Sequence, residues 1–257
     1  MNITIENLEQ FVQVAEDAVL KLERHFERPS LVHIHGEPYF RHVKQDDLLM
    51  SHLKCVRSVS SLNACLVLLR HGYIQEIGML CRCVDDNCHD VLFLCSPLGE
   101  GGKLSEQQQR LVKEFFQEEF DNADPLLSTQ TRDRVPRSKV HAGIARMSGQ
   151  PTNPHDAQKI YRCLHQAFSG YVHGAYVHIM EVYGGGSAAT LRYHMHGLQG
   201  TPRISEWTKA LSDYVYRTLI AVEVVAKRCN DVDVQRELVH RRQEFEGTIG
   251  IVGGDEK

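Results

Sequence analysis

Apolar side chains recur every three or four residues along most of this chain, which is the spacing that places them on one face of an α-helix. The first such segment carries Leu8, Phe11 and Val12 and stops before Pro29. Strand-type alternation of apolar and polar residues is almost absent. The pattern predicts an all-α protein, a helical bundle of about five to seven helices. The predicted helices cover residues 6–27, 48–70, 73–95, 105–120, 154–183, 205–229 and 233–245.

The breaks in this pattern predict how the helices are connected. Gly72 interrupts a periodicity that otherwise runs from Leu48 to Cys95, and two long helices with a short break are typical of an antiparallel hairpin. Residues 29–47 are a connector with a short extended stretch near 31–34. We expect a long, mobile central loop at 121–154, and one helical domain over 1–246 followed by a frayed tail at 247–257.

The composition is typical of a soluble globular protein. The 257 residues include 33 acidic and 29 basic side chains, which gives a net charge of −4 with neutral histidines, and 42% are hydrophobic. No apolar run approaches the ~18 residues of a membrane span. The polar N-terminus lacks the features of an export signal. These features predict a cytoplasmic protein that does not associate with a membrane.

One basic segment departs from the near-neutral charge. It lies in the predicted central loop, and a local cluster of arginine and lysine is the electrostatic footprint of nucleic-acid binding. The residues that we expect to contact a nucleic acid are Arg132, Arg134, Arg137, Lys139 and Arg162.

Eight cysteines and 15 histidines raise the question of a bound metal. Cys81, Cys88 and Cys95 are seven residues apart and share one helix face, whereas the close pair Cys81 and Cys83 points apart on a helix. Zinc ligands converge from short loops, so we interpret the cysteines as reduced, small core residues. The sequence predicts no metal and no cofactor.

Two stretches resemble known families. The first, LLRHGYIQEIGMLCRCVDDNCHDVLFL, has an apolar helix, a Gly-Tyr break and an Arg-x-x-acid signature at Arg82 and Asp85. The second, YRCLHQAFSGYVHGAY, has Ser-x-x-x-His at Ser169 and His173. Both are similar to uncharacterised bacterial helical families related to the HEPN superfamily, which includes toxin and anti-phage ribonucleases and also members without nuclease activity. The resemblance covers about residues 48–94 and 158–183.

The resemblance implies a candidate catalytic site, because HEPN ribonucleases carry an arginine followed after four to six residues by a histidine. The matching pairs are Arg82/His89, Arg134/His141, Arg28/His33 and Arg28/His35. Only Arg82/His89 lies on a predicted helix with acidic neighbours. Metal-free RNA cleavage needs a base, an acid and a cation near the phosphate. The candidates are Arg82, Asp85, His89, Ser169 and His173, with Arg162 as a further cation.

Three functions stay open at this point. The first is a metal-independent ribonuclease, a toxin or anti-phage effector, in which Arg82, His89 and His173 converge in a cleft that a homodimer often completes. The second is a catalytically inactive helical module that binds RNA or a protein partner, in which the same polar residues are structural. The third is a metal-dependent hydrolase built from His165, His173 and Glu181.

Overall fold

A computed structural model describes residues 3–95, 102–146, 153–185 and 187–250. These residues are mainly helical, as predicted. The helices are α1 (Ile5–Leu22), α2 (Asp47–His71), α3 (Ile74–Cys95), α4 (Glu106–Phe115), α5 (Arg137–Ala145), α6 (Pro154–Val172), α7 (Tyr176–Ile179), α8 (Pro202–Arg228) and α9 (Val232–Ile249). The strands are β1 (Ser30–Ile34), β2 (Glu37–Arg41), β3 (Tyr183–Gly184) and β4 (Arg192–Tyr193).

The larger of two apolar cores lies between α1, α2, α3, α8 and α9. Its side chains come from the periodic positions that the sequence pattern identifies, because a helix buries one stripe of residues three and four apart. Fully buried members include Leu8, Leu62, Ile77, Leu219 and Leu238. The buried cysteines Cys55, Cys65, Cys81 and Cys88 belong to the same core as free thiols, which confirms their interpretation as small core residues.

Helices α2 and α3 form the predicted hairpin. The Asp46 carboxylate accepts a hydrogen bond from the Leu49 N–H at 2.8 Å and caps the start of α2. Gly72 ends α2 in the left-handed conformation, with φ of 77°, and α3 begins at Ile74. The break is therefore a glycine C-cap followed at once by a new helix.

The central segment differs from the predicted loop because it contains α5. Pro136 precedes the helix, and Val140 and Ile144 are both fully buried in the second apolar core beside Phe93 of α3. This short helix has a weak apolar pattern of its own, and its stability comes from tertiary packing. The prolines that suggested a loop flank the helix instead of interrupting it.

The helix predicted from residue 154 to 183 is wrong in its second half. α6 begins at Pro154 with Asn153 as its cap, but it ends at Val172. Gly174 adopts φ of 60°, which reverses the chain before the one-turn helix α7. Together with α5, this break brings the described residues to nine α-helices, more than the five to seven expected.

Two antiparallel hairpins complete the described residues. The first pairs β1 with β2, so the extended stretch expected near 31–34 is a strand. The second pairs β3 with β4, with Tyr183 opposite Tyr193. The predicted frayed tail falls largely at 251–257, outside the described residues, while α9 continues to Ile249. None of the described helices is apolar over enough of its length to cross a lipid bilayer.

Candidate functional site

One face of α3 carries charged and imidazole side chains beside the apolar cores. These residues, which we call the polar cluster, are Arg82, Asp85, Asp86, His89 and Asp90. Their spacing of three, four, seven and eight residues places them on the same side of the helix. Asp85, His89 and Asp90 are buried, with 2–3% of each residue exposed. Buried charges of this kind persist in folded proteins only when they are paired.

Asp90 is paired with two cations from other helices. Lys54 of α2 places its Nζ 2.9 Å from one carboxylate oxygen, and Arg137 of α5 donates to the other. Burial disfavours the ionised carboxylate, but Arg137 and Lys54 outweigh it and hold the pKa of Asp90 below its usual range. Asp90 therefore fixes the guanidinium of Arg137, the first residue of α5.

Two further arginines complete the ion pairs of the cluster. Arg217 of α8 donates to Asp85 at 2.6 Å, and Arg82 lies 3.0 Å from Asp86 and 3.9 Å from Asp85. The Asp85 carboxylate is also 3.6 Å from Nδ1 of His89. The structure thus places three candidates from the sequence, Arg82, Asp85 and His89, in direct proximity.

Four aromatic rings from three helices extend the cluster toward α6. The His89 ring lies 5.0 Å from the rings of both His141 and Tyr161, and the His141 ring lies 5.8 Å from that of His165. Within the described residues, Nδ1 of His89, which faces the Asp85 carboxylate at 3.6 Å, and Nε2 of His141 are buried without a hydrogen-bond partner. Nε2 of His141 is therefore the ring nitrogen that is open to a ligand.

The three imidazoles in this group of rings are held in the neutral form. Burial, with Arg137 and Arg217 nearby, lowers the pKa of His89 to about 3. Burial and the neighbouring His89 and Arg137 lower the pKa of His141 to about 3. Burial, with Arg82 nearby, also lowers the pKa of His165. At pH 7 a neutral imidazole offers one ring N–H as a hydrogen-bond donor and the other ring nitrogen as an acceptor.

The group of four rings borders a pocket of about 380 Å³ between α5 and α6, which we call the α5–α6 pocket. It is lined by Arg137, Ser138, His141, His155, Gln158, Lys159, Arg162 and His165. Among the described residues, three cations and three imidazoles line it and no carboxylate does. Arg137 and Lys159 are paired with aspartates outside this lining, so Arg162 is the cation left unpaired there. Arg162 and Lys159 are exposed at its mouth, whereas His141 is buried at its inner end. This charge distribution favours an anion.

Ser169 and His173 do not join the site that the sequence predicts for them. His173 is exposed immediately after α6, where its N–H donates to the Ser169 carbonyl at 3.2 Å. Within the described residues, neither side chain forms a hydrogen bond or ion pair with Arg82 or His89. The expected convergence of Arg82 with His173 is therefore wrong, because α6 ends before His173 and Arg82 pairs with aspartates on its own helix.

The basic segment is divided by the fold. Arg132 pairs with Glu119 at 2.8 Å, and Arg134 approaches Glu114 at 3.8 Å. Arg137 turns inward to the polar cluster, and Lys139 is exposed. The other predicted nucleic-acid contact, Arg162, lies at the pocket. Of the five predicted residues, Arg137 and Arg162 line the same pocket, and the rest lie outside its lining.

The ligands of the metal-dependent alternative are not assembled. His165 lies in the α5–α6 pocket, while Glu181 accepts a hydrogen bond from the Tyr171 hydroxyl at 2.9 Å. His173 is exposed at the end of α6. Across the residues that the structure describes, no three His, Cys, Asp or Glu side chains are grouped as a metal site would require.

Several members of the site are missed by the sequence prediction, chiefly Lys54, Asp90, Tyr161 and Arg217, while His141 was noted in the pair Arg134/His141 and not selected. Arg137 and His141 are four residues apart, which places them on one helix face, but this signal depends on recognising α5. Asp86 and Asp90 carry the same spacing on α3 and were detectable as an acidic pair. Lys54 and Arg217 carry no local signal, because their partners are distant in the sequence.

Comparisons with known proteins found no match, so the function has to be inferred from the site. No family model, no curated protein and no solved structure matches the chain. The fold and the pocket define a helical protein with a cationic, imidazole-lined site.

Proposed function

We propose that the protein is a HEPN-like, metal-independent ribonuclease whose active site is the α5–α6 pocket. The observation that carries this proposal is the lining of the pocket, in which His141 and His165 accompany Arg137, Lys159 and Arg162 with no carboxylate. A phosphodiester needs cations around its oxygens, and its cleavage without a metal needs an acid and a base. The resemblance to HEPN families, although partial, points to the same class of reaction.

The three cations divide the work of binding. Arg137 is anchored by Asp90 and Asp86, so its guanidinium is pre-organised at the inner wall of the pocket. Arg162 is exposed and forms no ion pair within the described residues, and Lys159 lies 3.5 Å from Asp156. The outer cations attract the RNA backbone, and Arg137 orients one phosphate against the histidines.

The two imidazoles supply the proton transfers. Neutral His141 removes the proton from the ribose 2′-OH, whose oxygen attacks phosphorus, while the bond from phosphorus to the 5′-oxygen breaks. Protonated His165 donates to that leaving oxygen, and the products are a 2′,3′-cyclic phosphate and a free 5′-OH. His165 is partly exposed, and the negative charge of a bound phosphate raises its pKa toward the protonated form.

A second candidate, the catalytically inactive binding module, is favoured by one specific observation. A base works best when its pKa is close to the operating pH, and the pKa of His141 is held at about 3. If bound phosphate does not restore the basicity of His141, the pocket binds RNA without cutting it.

The test is to incubate purified protein with total RNA in EDTA and to follow both cleavage and binding. We expect His141→Ala and His165→Ala to reduce cleavage by about 10²-fold or more. Arg162→Ala weakens binding. His173→Ala is the matched control, because this histidine is exposed outside the pocket lining, and it retains wild-type cleavage. The Arg82→Ala variant tests whether cleavage also depends on the polar cluster.

The outcomes separate the candidates. Cleavage that is lost in the two pocket variants and kept in His173→Ala supports the ribonuclease, and growth arrest on expression would then test a toxin or anti-phage role. Binding without cleavage supports the inactive module. RNA that is neither bound nor cut, or cleavage that depends on His173 and not on His141 and His165, refutes the proposal.

A further inference from the structure

The β3–β4 hairpin exposes an unusual number of aromatic and large apolar side chains. Tyr183 and Tyr193 face each other across the two strands with ring centroids 4.8 Å apart, and 39% and 49% of each residue is exposed. Tyr176 and Met195, close by in the chain, are 75% and 77% exposed. Aromatic rings left this open are a platform on which flat groups stack.

A groove of about 800 Å³ lies along residues 185–194 of the same hairpin, and neither tyrosine is among the described residues that line it. Arg192, Ser187, Thr190 and His194 contribute polar side chains to its lining, and no carboxylate lines it. Arg192 is exposed, and its side chain forms no hydrogen bond or ion pair within the part of the chain that the structure describes. The hairpin therefore combines an arginine side chain that has no anionic partner with an exposed, edge-to-face pair of tyrosine rings.

The charge around the hairpin also favours an anionic partner. Residues 172–200 contain a single acidic side chain, Glu181. Both of its oxygens accept a hydrogen bond from the Tyr171 hydroxyl, and one lies 3.5 Å from Nδ1 of His178. The carboxylate is thus engaged away from the groove. Aromatic rings interleaved with cations, and free of acidic neighbours, are typical of single-strand nucleic-acid binding.

We propose that the β3–β4 hairpin binds single-stranded RNA, with bases stacked on Tyr183 and Tyr193 and the backbone following Arg192. This inference rests on the proposed function and specifies its substrate class. His165, the last pocket residue on α6, lies seven residues, about 10 Å along the axis, before the end of the helix at Val172, and the chain continues from there to the hairpin. A duplex does not bind in this way, because its base faces are already stacked.

The test is fluorescence anisotropy with a labelled 12-nucleotide RNA whose 2′-O-methyl groups prevent cleavage, compared with the same strand in a duplex. We expect Tyr193→Ala to weaken single-strand binding by about 10-fold, since stacking of one base accounts for roughly 5- to 150-fold in affinity. Tyr193→Phe keeps the ring and binds within about twofold of wild type. Arg192→Ala lowers affinity and makes it less sensitive to salt.

Several results would overturn the hairpin surface. They are wild-type affinity in Tyr193→Ala with a native circular dichroism spectrum, equal binding of duplex and single strand, and a change in sedimentation without a change in RNA affinity, which would assign the surface to a second copy of the chain. If RNA binds through Tyr193 but is not cut, the ribonuclease fails and the hairpin surface stands. If RNA is cut and Tyr193→Ala leaves the KM of a 12-nucleotide substrate unchanged, the ribonuclease stands and the hairpin surface fails.

Discussion

Asp90→Asn should destabilise the protein far more than Asp86→Asn, although both aspartates lie on one face of α3 and both pair with Arg137. The side chain of Asp90 is 4% exposed and neutralises Lys54 as well as Arg137. The side chain of Asp86 is 30% exposed and lies near Arg82 and Arg137, at 3.0 and 3.1 Å. The two substitutions remove the same charge from one helix and differ in burial and partners.

The size of each change in the free energy of unfolding depends on which charges lose their partner. Asparagine at position 90 leaves the half-buried Lys54 without its anion and leaves Arg137 with Asp86 as its remaining carboxylate partner. Removing one partner of a buried ion pair costs about 3–5 kcal/mol, a large part of the roughly 5–15 kcal/mol that stabilises a typical domain. Asparagine at position 86 changes the free energy of unfolding by less than about 1 kcal/mol, because its carboxylate is partly solvated.

The pH dependence has opposite signs at the two positions. Asp90 has a lowered pKa in the fold, so its contribution to stability is complete above the unfolded value of about 3.9 and is lost as the pH falls through its folded pKa. Burial raises the pKa of Asp86, and Arg137 and Arg82 only partly offset it. Ionised Asp86 therefore penalises the fold above its folded pKa, and acid relieves that penalty.

Urea unfolding followed by circular dichroism at pH 7 and near pH 3 measures both effects. We expect the gap between wild type and Asp90→Asn to be wide at pH 7 and to narrow in acid. Any advantage of Asp86→Asn at pH 7 also shrinks in acid. Equal losses for the two variants, or an Asp90 gap that does not respond to pH, would refute the view that Asp90 is the charge-balancing anion of the polar cluster.

Two further predictions test the packing. Gly72→Ala should cost about 2–4 kcal/mol, because a Cβ there lies 2.5 Å from the backbone N of Leu198 in addition to the strain of φ +77°. Gly250→Ala is its control, with φ of 78° and open space, and thermal melts should show the smaller loss; equal losses would contradict a clash. Cys163 is exposed and should react with a thiol reagent in the native protein, whereas Cys55, whose pKa burial raises, reacts only on unfolding; equal reaction rates would contradict this burial.

Within the polar cluster, the sequence identified the members that share one helix. Arg82, Asp85 and His89 were found because a spacing of three and seven residues places them together without any knowledge of the rest of the fold. His173 was misplaced because α6 was extended through Gly174, whose left-handed backbone ends it early. Single glycines inside a periodic segment do not reveal whether they break the helix.

The central segment shows the opposite failure. Its prolines and basic residues suggested a loop, yet α5 forms there and carries Arg137 and His141 into the site. A nine-residue helix is marginal in isolation, and it is stable here because Val140 and Ile144 are buried against α3. That stabilisation comes from residues far away in the sequence, so local propensity could not reveal it.

The sequence by itself determined the helical class, the α2–α3 hairpin and the cores built from periodic apolar positions, because these depend on interactions within a few residues. Only the tertiary structure decided that Lys54 and Arg137 meet Asp90, and that His141 and His165 face one pocket. Such contacts join residues from 24 to 47 positions apart, and their energy depends on burial that exists only after the helices have packed. The chemistry of this protein therefore lies between helices that the sequence pattern predicts one at a time.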